Sequence, residues 1–533
     1  MTRDTNLRDM LHRAAKWYPN NEAVVDDLYR YTYAELKDKV QRMAKLLHTR
    51  GVRKGDRVAL LMYPSVQHVV ALFGAFELGA IPSALHLRES PKILAAVLER
   101  LSPRVLVYDG ALDELAADLR RMAPLVSFGV RAISELTPPD KREGGDDPVI
   151  PRDLDRFEMD FEPMPIYGHD TSMIALSSGT TGVPKGIMHT HRTQIESARG
   201  GAFVFDANPY ASMINVSTTA FIGWYNCTIP FLNAASKIVF MAQWEPQRFL
   251  QKMQDERATF AFLVPTMWRM LFRENLDNYD LSSLKKAGYA GEPMDTRTMG
   301  LVRDKICSNI INIYGTTETG SCAGGTMMFN DDYRDPSKQE SVGKPFLNAD
   351  VRVIQPGGAV TDEVPPGEEG EVIIRGLSVA SHVWDQPALA RKIFDDGWWR
   401  SGDMGALDAD NYLYLRGRID DMIISGGINV LPSQVEEAVL SHPAVSECVV
   451  IGIPDEKWGQ RIAAYVVAKS AVTPDELKAF LADKTDAEKT ALRKNPRVAQ
   501  IIEEIRAEQS KAANIDTDEL LGELDEDELD EEQ

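Results

Sequence analysis

The chain has 533 residues, of which 44% are hydrophobic and 26% are charged, and its formal net charge is −21 at pH 7. A chain of this length is too long for one compact core and is typical of a large domain joined to a smaller one. The strong negative charge argues against a protein that binds nucleic acid or an anionic membrane surface.

The four cysteines are widely spaced and form no C-x-x-C pair, which argues against a disulfide framework and a structural zinc site. The N-terminal stretch lacks the apolar segment of a signal peptide. The most apolar long stretch, 69–87, contains Glu77 and falls short of a membrane span. We therefore expect a cytoplasmic protein without a transmembrane segment.

From residue 7 to about residue 350, amphipathic stretches alternate with short β-branched runs. The pattern predicts helices over 33–51, 66–78 and 246–257, and strands over 57–62, 80–82 and 259–264. Helices between short buried strands predict the α/β fold class, with layered and mostly parallel sheets.

The following stretch, 341–403, is richer in strands and turns. Strands over 351–354, 370–375 and 411–415, separated by Gly and Pro turns, predict a β-rich subdomain. Beyond it, a helix, two strands and a helix are predicted over 432–440, 447–452, 462–468 and 474–483. We expect a large domain over 1–419, a small α+β domain over 420–515 and a solvated acidic tail over 516–533.

A loop rich in glycine and hydroxyl groups, SSGTTGVPKG at 177–186, follows the apolar run 173–176. Glycines let backbone N–H groups approach an anion, hydroxyls donate to phosphate oxygens, and Lys185 adds positive charge. Neither the Walker spacing nor a G-x-G-x-x-G fingerprint occurs in the chain. The loop predicts a phosphate site of another kind, the alternative being a surface turn. Its candidate ligands are Ser177, Ser178, Gly179, Thr180, Thr181, Gly182 and Lys185.

This loop resembles the phosphate loop of the adenylate-forming superfamily, which includes acyl- and aryl-CoA synthetases, peptide-synthetase adenylation domains and luciferases. Further segments resemble the family's motifs in the same order: YGTTETG at 314–320, WRSGD at 399–403 and YLRGRIDD at 414–421. The resemblance implies a large N-terminal adenylation domain and a small C-terminal domain on a hinge, with ATP, Mg²⁺ and coenzyme A as cofactor and co-substrates.

The resemblance also implies roles for single residues. Tyr314 would stack on adenine, Thr316 and Thr317 would meet the α-phosphate, and Glu318 would hold Mg²⁺ together with Thr181. Hard Mg²⁺ accepts one carboxylate together with phosphate oxygens and water. The other nucleotide contacts implied are Gly291, Glu292, Gly315, Asp403 (for both ribose hydroxyls) and Arg418. The catalytic residues implied are Lys185, Thr181, Glu318 and Lys511.

In the small domain, the resemblance implies a hinge at Asp420. Coenzyme A would meet that domain at Ser425, Gly426, Gly427 and Trp458.

Two departures from the family pattern bear on function. Where many relatives have a Phe-His pair before a glycine, this chain reads TTAFIGWY at 218–225. Its aromatic residues either form an apolar wall for an aromatic, cyclic or medium-length acid or belong to the core. The acyl-pocket candidates are Phe221, Trp224, Tyr225 and Gly291.

The second departure is at the end of the small domain, where the family's Pro-Arg-Thr-x-x-Gly-Lys motif is missing. Lys511 falls within one residue of the expected lysine, counted from KNPR at 494–497. Its alternative role is an exposed lysine on a charged helix, because Val498, Ile501, Ile502 and Ile505 recur with helical spacing. A further pair, His189 and His191, lacks a nearby carboxylate or third metal ligand, so we interpret both as surface or packing residues.

The sequence thus predicts an ATP-dependent carboxylic acid–CoA ligase that forms acyl-AMP and then the thioester. Its partners would be a carboxylic acid, such as a fatty or aromatic acid, with ATP and coenzyme A; no nucleic acid is expected, and a homodimer is the oligomer considered. Three alternatives stay open: delivery of the acyl group to a carrier protein, a nucleotide- or acyl-binding pseudoenzyme, and a luciferase-like oxygenase.

Overall fold

A computed structural model describes residues 5–143, 146–177, 183–320, 325–425, 428–455, 459–483 and 504–508. The protein is a mixed α/β structure of two compact units, one larger and one smaller. The first unit comprises Met1–Ser401 and Gly405–Leu415, and the second comprises Gly402–Met404 and Arg416–Gln533. The chain passes into the second unit at Arg416, four residues before the boundary we expected at 420.

The helices of the described residues, in chain order, are α1 (Leu7–Trp17), α2 (Tyr33–Thr49), α3 (Val66–Leu78), α4 (Pro91–Leu101), α5 (Asp113–Met122), α6 (His191–Val204), α7 (Ile222–Asn233), α8 (Pro246–Asp255), α9 (Pro265–Leu271), α10 (Thr296–Lys305), α11 (Pro387–Ile393), α12 (Pro432–Leu440) and α13 (Pro474–Asp483). None of these described helices combines the length and the apolar character that crossing a membrane requires.

The strands, also in chain order, are β1 (Glu22–Val25), β2 (Arg30–Thr32), β3 (Arg57–Leu61), β4 (Ile81–Ala84), β5 (Val105–Asp109), β6 (Phe128–Ala132), β7 (Val149–Ile150), β8 (Thr171–Ser177), β9 (Lys185–Thr190), β10 (Ser212–Asn215), β11 (Lys237–Phe240), β12 (Phe260–Phe262), β13 (Lys286–Ala290), β14 (Ile310–Tyr314), β15 (Thr326–Met328), β16 (Lys344–Pro345), β17 (Ala349–Ile354), β18 (Gly370–Gly376), β19 (His382–Val383), β20 (Phe394–Asp395), β21 (Trp398–Leu407), β22 (Leu413–Arg418), β23 (Ile423–Ser425), β24 (Ile428–Val430), β25 (Val445–Asp455), β26 (Gly459–Ala468) and β27 (Glu504–Glu508).

Two mostly parallel sheets form the frame of the first unit. One has the order β16-β15-β14-β13-β12-β10-β11-β1-β2, and its strands from β14 to β1 are parallel. The other has the order β4-β3-β5-β6-β7 and is parallel throughout. These two sheets, with helices between their strands, confirm the predicted α/β class.

Two further sheets carry motif residues. The antiparallel sheet β19-β9-β8 contains the strands that flank the predicted phosphate loop. The β-rich sheet β17-β18-β21-β20, with β22 paired to β21, confirms the predicted β-rich subdomain.

Helix α3 is the most deeply buried helix of the first unit's core, because every residue from Val66 to Leu78 is buried. The Ser65 hydroxyl caps its N-terminus by accepting a hydrogen bond from the N–H of His68, and Gly79 ends it with φ 69°. Most residues of α3 are apolar, and such a helix has to be covered on all sides; α3 packs within the main hydrophobic cluster.

Most predicted elements are confirmed, with shifted ends where a turn intervenes. The predicted helices over 66–78, 432–440 and 474–483 end at the residues observed. The strand predicted over 411–415 begins at Leu413, because Asn411 adopts φ 66° in a turn. In that turn the Asp408 carboxylate accepts hydrogen bonds from the N–H groups of Asp410 and Tyr412.

The second unit contains the sheet β24-β23-β26-β25, with β27 paired to β26. The helical interpretation of the segment that includes Ile505 is wrong where the structure describes it, because Glu504–Glu508 is a strand. Strand β27 runs parallel to β26, with Ile505 opposite Ala464. Pairing with a neighbouring strand overrides a local helical spacing.

Candidate active site

The predicted phosphate loop connects two antiparallel strands. The apolar run that precedes it lies in β8, and β9 begins at Lys185. Ser177 is opposite Lys185 in the register of the two strands, so both ends of the loop are fixed at the same level of the sheet. The predicted ligands Ser178, Gly179, Thr180, Thr181 and Gly182 lie outside the described residues.

The second motif begins where β14 ends, at Tyr314. In the segment 314–320, hereafter the adenylate loop, the Thr316 hydroxyl donates to the Glu318 carboxylate at 3.0 Å. The N–H of Thr316 donates to the Thr319 hydroxyl at 2.9 Å, and that hydroxyl donates to the Thr316 carbonyl at 3.2 Å. These local bonds fold the loop into a tight turn that orients Glu318.

The carbonyl side of the adenylate loop is held by groups from three other segments. The carbonyls of residues 317, 318, 319 and 320 face, in that order, Nε2 of His189 at 2.8 Å, the N–H of Ala380 at 2.8 Å, Oγ of Ser378 at 2.9 Å and Oγ of Ser197 at 2.6 Å. Four consecutive peptide units are thereby fixed, which is the arrangement expected for a preorganised binding loop.

His189 is completely buried in β9. Because the Thr317 carbonyl can only accept a hydrogen bond, Nε2 carries the ring proton, and Nδ1 lies 3.4 Å from the Thr193 hydroxyl. Burial lowers the pKa of His189 to about 4, so the ring is neutral at neutral pH. From sequence we interpreted this residue as a surface or packing histidine; the structure places it in the interior and adds a specific hydrogen bond to the adenylate loop.

The predicted turn at Gly291 and Glu292 follows β13. Gly291 has φ 92°, a conformation that favours glycine. The Glu292 carboxylate accepts hydrogen bonds from the N–H and the hydroxyl of Thr266, each at 2.9 Å. Glu292 therefore satisfies one backbone N–H in the first turn of α9.

In the second unit, Asp403 and Arg418 form an ion pair. Nη1 of Arg418 donates to Oδ1 of Asp403 at 2.8 Å, and the Asp403 side chain is 11% exposed. The N–H of Ile419 donates to the carbonyl of Gly402 at 2.7 Å, which fixes the two strands that carry the pair. A carboxylate has about four lone-pair sites, so Asp403 can accept hydrogen bonds from ribose hydroxyls while it binds Arg418.

The residues predicted for the acyl pocket separate into two environments. Trp224 and Tyr225 are almost completely buried in the main core. The Trp224 ring lies 4.6 Å from the ring of His68 and 5.7 Å from that of Phe240, measured between centroids. Phe221, directly before α7, is 53% exposed.

The predicted hinge and coenzyme A residues lie in the second unit. Asp420 is exposed, and Ser425 is buried at the end of β23. Gly426, Gly427, Trp458 and Lys511 lie outside the described residues.

The donor set of the adenylate loop fits a magnesium ion. In the part of the chain that the structure describes, no three His, Cys, Asp or Glu side chains cluster as a metal cage. Glu318 supplies one carboxylate beside a threonine hydroxyl. One carboxylate suits Mg²⁺, which takes its other ligands from phosphate and water.

The sequence did not predict the side chains that form hydrogen bonds with the carbonyls of the adenylate loop. His189, Ser197 and Ser378 are each separated from the loop by more than fifty residues in sequence. A buried histidine or serine carries no sequence pattern that marks its partner, so no signal could have found them.

The chain matches known protein families along most of its length. The family model described as AMP-binding enzyme matches residues 11–384, and that of the AMP-binding enzyme C-terminal domain matches residues 434–511.

Similar proteins cover nearly the same span. The long-chain-fatty-acid–CoA ligase FadD13 of Mycobacterium tuberculosis is 29% identical over 471 residues, which are 87% of this chain and 88% of the relative. The feruloyl-CoA synthase of Amycolatopsis sp is 30% identical over 474 residues, or 88% and 90% of the two chains. The structure of a Mycobacterium tuberculosis fatty acyl CoA synthetase is similar at a TM-score of 0.77 and 26% identity, covering 97% of this chain and 98% of that one.

Proposed function

The chain belongs to the family of AMP-binding enzymes, and from this premise we propose how its residues perform the reaction. The enzyme is an AMP-forming acid–CoA ligase, which activates a carboxylic acid as acyl-AMP and then forms the acyl-CoA thioester. The residue assignment rests on the geometry of the adenylate loop. Hydrogen bonds from other segments hold the carbonyls of residues 317–320, and the Thr316 hydroxyl orients Glu318.

In the first step, a carboxylate oxygen of the acid attacks the α-phosphorus of ATP. The bond from this phosphorus to the oxygen that bridges to the β-phosphate breaks, and pyrophosphate leaves. We assign Lys185 and Thr181 to the phosphate oxygens, where they stabilise negative charge, and Thr316 and Thr317 to the α-phosphate. When bound at Glu318, Mg²⁺ would neutralise charge on the phosphates.

In the second step, the thiol of coenzyme A gives up its proton and its sulfur attacks the acyl carbon, so that AMP leaves with the oxygen that came from the acid. We assign the ribose hydroxyls to Asp403 and the hinge to Asp420. Contacts to coenzyme A are assigned to Ser425, Gly426, Gly427 and Trp458. One small domain that turns about a hinge can serve both steps in succession.

For the acyl group, we propose a fatty or aromatic acid that contacts Phe221. Phe221 is 53% exposed and its ring centroid lies 4.8 Å from that of His86, so an exposed aromatic surface there supports this assignment. Gly291 is assigned to the same pocket, because this exposed glycine presents backbone rather than a side chain to the surface there.

For the terminal lysine, we propose that Lys511 assists the first step. Strand β27 ends at Glu508, three residues before Lys511. The family motif that Lys511 would replace also follows a strand, and this arrangement supports the assignment over an exposed lysine on a helix.

The test follows both half-reactions in the wild-type enzyme and in Lys511→Ala. Purified protein is incubated with ATP, Mg²⁺ and a panel of carboxylic acids, with and without coenzyme A, and pyrophosphate and acyl products are followed by mass spectrometry. We expect thioester only with coenzyme A. In Lys511→Ala we expect pyrophosphate release to slow at least about 10-fold more than thioester formation from preformed acyl-AMP.

Three outcomes would redirect the proposal. Acyl-AMP that accumulates without conversion by coenzyme A would indicate another acceptor, such as a carrier protein. ATP binding without any pyrophosphate would indicate a pseudoenzyme. Normal adenylation in Lys511→Ala would remove this lysine from the mechanism while leaving the ligase assignment intact.

We also propose a cytoplasmic location and a homodimer. None of the described cysteines forms a disulfide, which supports a reducing compartment. Light scattering on the purified protein tests the dimer.

A further inference from the structure

We propose that His189 is a positioning residue for adenylate formation, acting through the Thr317 carbonyl, and that Ser197 and Ser378 complete the same support. This inference rests on the proposed function of the adenylate loop as the α-phosphate and magnesium site. It gives a positioning role to three residues that lie outside the adenylate loop and outside its sequence motif.

His189 acts on the peptide units of the adenylate loop. A peptide unit is planar, so a fixed carbonyl also fixes the N–H of the next residue. His189 fixes the unit that joins Thr317 to Glu318, the residue assigned to magnesium. Without that bond, the unit could rotate and carry the Glu318 side chain away from the phosphates.

The same hydrogen bond joins the two motifs to which we assign the phosphates. His189 stands four positions after Lys185 in the same strand, β9. Its Nε2 proton reaches the adenylate loop 128 residues further along the chain. The bond therefore sets the distance between the strand that begins at Lys185 and the loop that carries Glu318.

The three supporting side chains are buried. His189 and Ser378 are completely buried and Ser197 is 2% exposed, so water cannot replace a lost donor without rearrangement. The bond between His189 and the Thr317 carbonyl is partly buried, and a carbonyl shielded from water that loses its donor costs more than the original bond contributed. The loop would then relax toward solvent or toward another donor.

A second histidine on the same segment provides a matched control. His191 is as deeply buried as His189, but its Nδ1 accepts the N–H of Leu7 at 3.3 Å and its ring lies 5.8 Å from that of Phe76. The contacts of His191 therefore fix α1 rather than the adenylate loop. The variant His191→Leu therefore shows how much AMP affinity and activity are lost when a buried histidine that does not contact the loop is removed.

The experiment compares His189→Leu, His189→Gln and His191→Leu with the wild type, all at a temperature well below the unfolding midpoint of each variant. Glutamine can place an amide N–H where Nε2 of histidine stood, whereas leucine cannot donate. AMP affinity is measured by calorimetry without metal or turnover. Hydrogen exchange in the peptide that contains 314–320 is followed by mass spectrometry, and pyrophosphate release is measured with ATP and a substrate acid.

We expect His189→Leu to weaken AMP binding and slow pyrophosphate release, each about 10- to 100-fold, as is usual for residues that orient a binding group. Exchange in the peptide containing 314–320 should rise in the same variant. His189→Gln should recover most of both losses, and His191→Leu should keep wild-type AMP affinity.

Equal losses in His189→Leu and His191→Leu, or no recovery in His189→Gln, would overturn the proposal and leave His189 as a packing residue. The variant Glu318→Gln separates this failure from failure of the proposed function. If Glu318→Gln impairs pyrophosphate release while His189→Leu has no effect, the loop keeps its function and only the positioning role is lost.

Discussion

Replacement of Glu318 by glutamine should slow pyrophosphate release about 10²- to 10³-fold while AMP affinity stays close to that of the wild type. Glutamine keeps the shape of the side chain and an oxygen that can accept the Thr316 hydroxyl, so the loop should keep its conformation. It removes the negative charge that Mg²⁺ requires. AMP carries no β- and γ-phosphates to be bridged, so its binding should depend little on the metal.

The measurement is pyrophosphate release at increasing Mg²⁺ concentration, together with AMP calorimetry on the same preparation. Glu363→Gln serves as the control, because this glutamate is 55% exposed and lies 3.9 Å from Arg352 in the β-rich sheet. A Glu318→Gln enzyme with the wild-type rate and Mg²⁺ dependence would exclude Glu318 as the metal-binding residue.

Replacement of Trp224 by alanine should destabilise the protein by about 3–5 kcal/mol, the usual cost of truncating a fully buried large aromatic residue. Its ring is 0% exposed and contacts the rings of His68, Tyr225 and Phe240. Phe221→Ala should cost no more than about 0.5–1 kcal/mol, since half of that side chain faces solvent.

The two variants should also differ in their effect on substrate preference. Phe221→Ala should change kcat/KM by about 10-fold for bulky relative to short acids, with the thermal midpoint nearly unchanged. Thermal unfolding and the acid panel, applied to both variants, check this pair of expectations. A stable Trp224→Ala enzyme with an altered acid preference would place Trp224 in the acyl pocket and contradict its role in the core.

Much of the fold could be predicted from sequence because its strongest patterns are local. The run from Val66 to Leu78 is mostly apolar and lies between Ser65 and Gly79, so both the helix and its ends could be predicted. The start of the strand near Asn411 could not be predicted, because the positive φ of Asn411 belongs to a turn that is held by hydrogen bonds to the Asp408 carboxylate. The helical spacing around Ile505 predicted a helix, but the segment forms strand β27 because it pairs with β26.

In the candidate site, the predictable part was the set of residues that follow one another in a motif. Tyr314 and Glu318 stand in one short segment whose chemistry could be interpreted together. The support from His189 and Ser378 comes from other strands and loops, and only the folded chain brings these side chains to the adenylate loop. The same is true of Trp224 and Phe221, which are three residues apart and differ completely in burial.

The fate of a labelled oxygen tests the acyl-adenylate route most directly. A substrate acid labelled with ¹⁸O in its carboxylate is converted to thioester, and the AMP and pyrophosphate are analysed by mass spectrometry. Because the carboxylate oxygen bonds to the α-phosphorus and leaves with AMP, we predict one ¹⁸O atom in each AMP and none in pyrophosphate. Unlabelled AMP, or label in inorganic phosphate with ADP as the nucleotide product, would contradict the account.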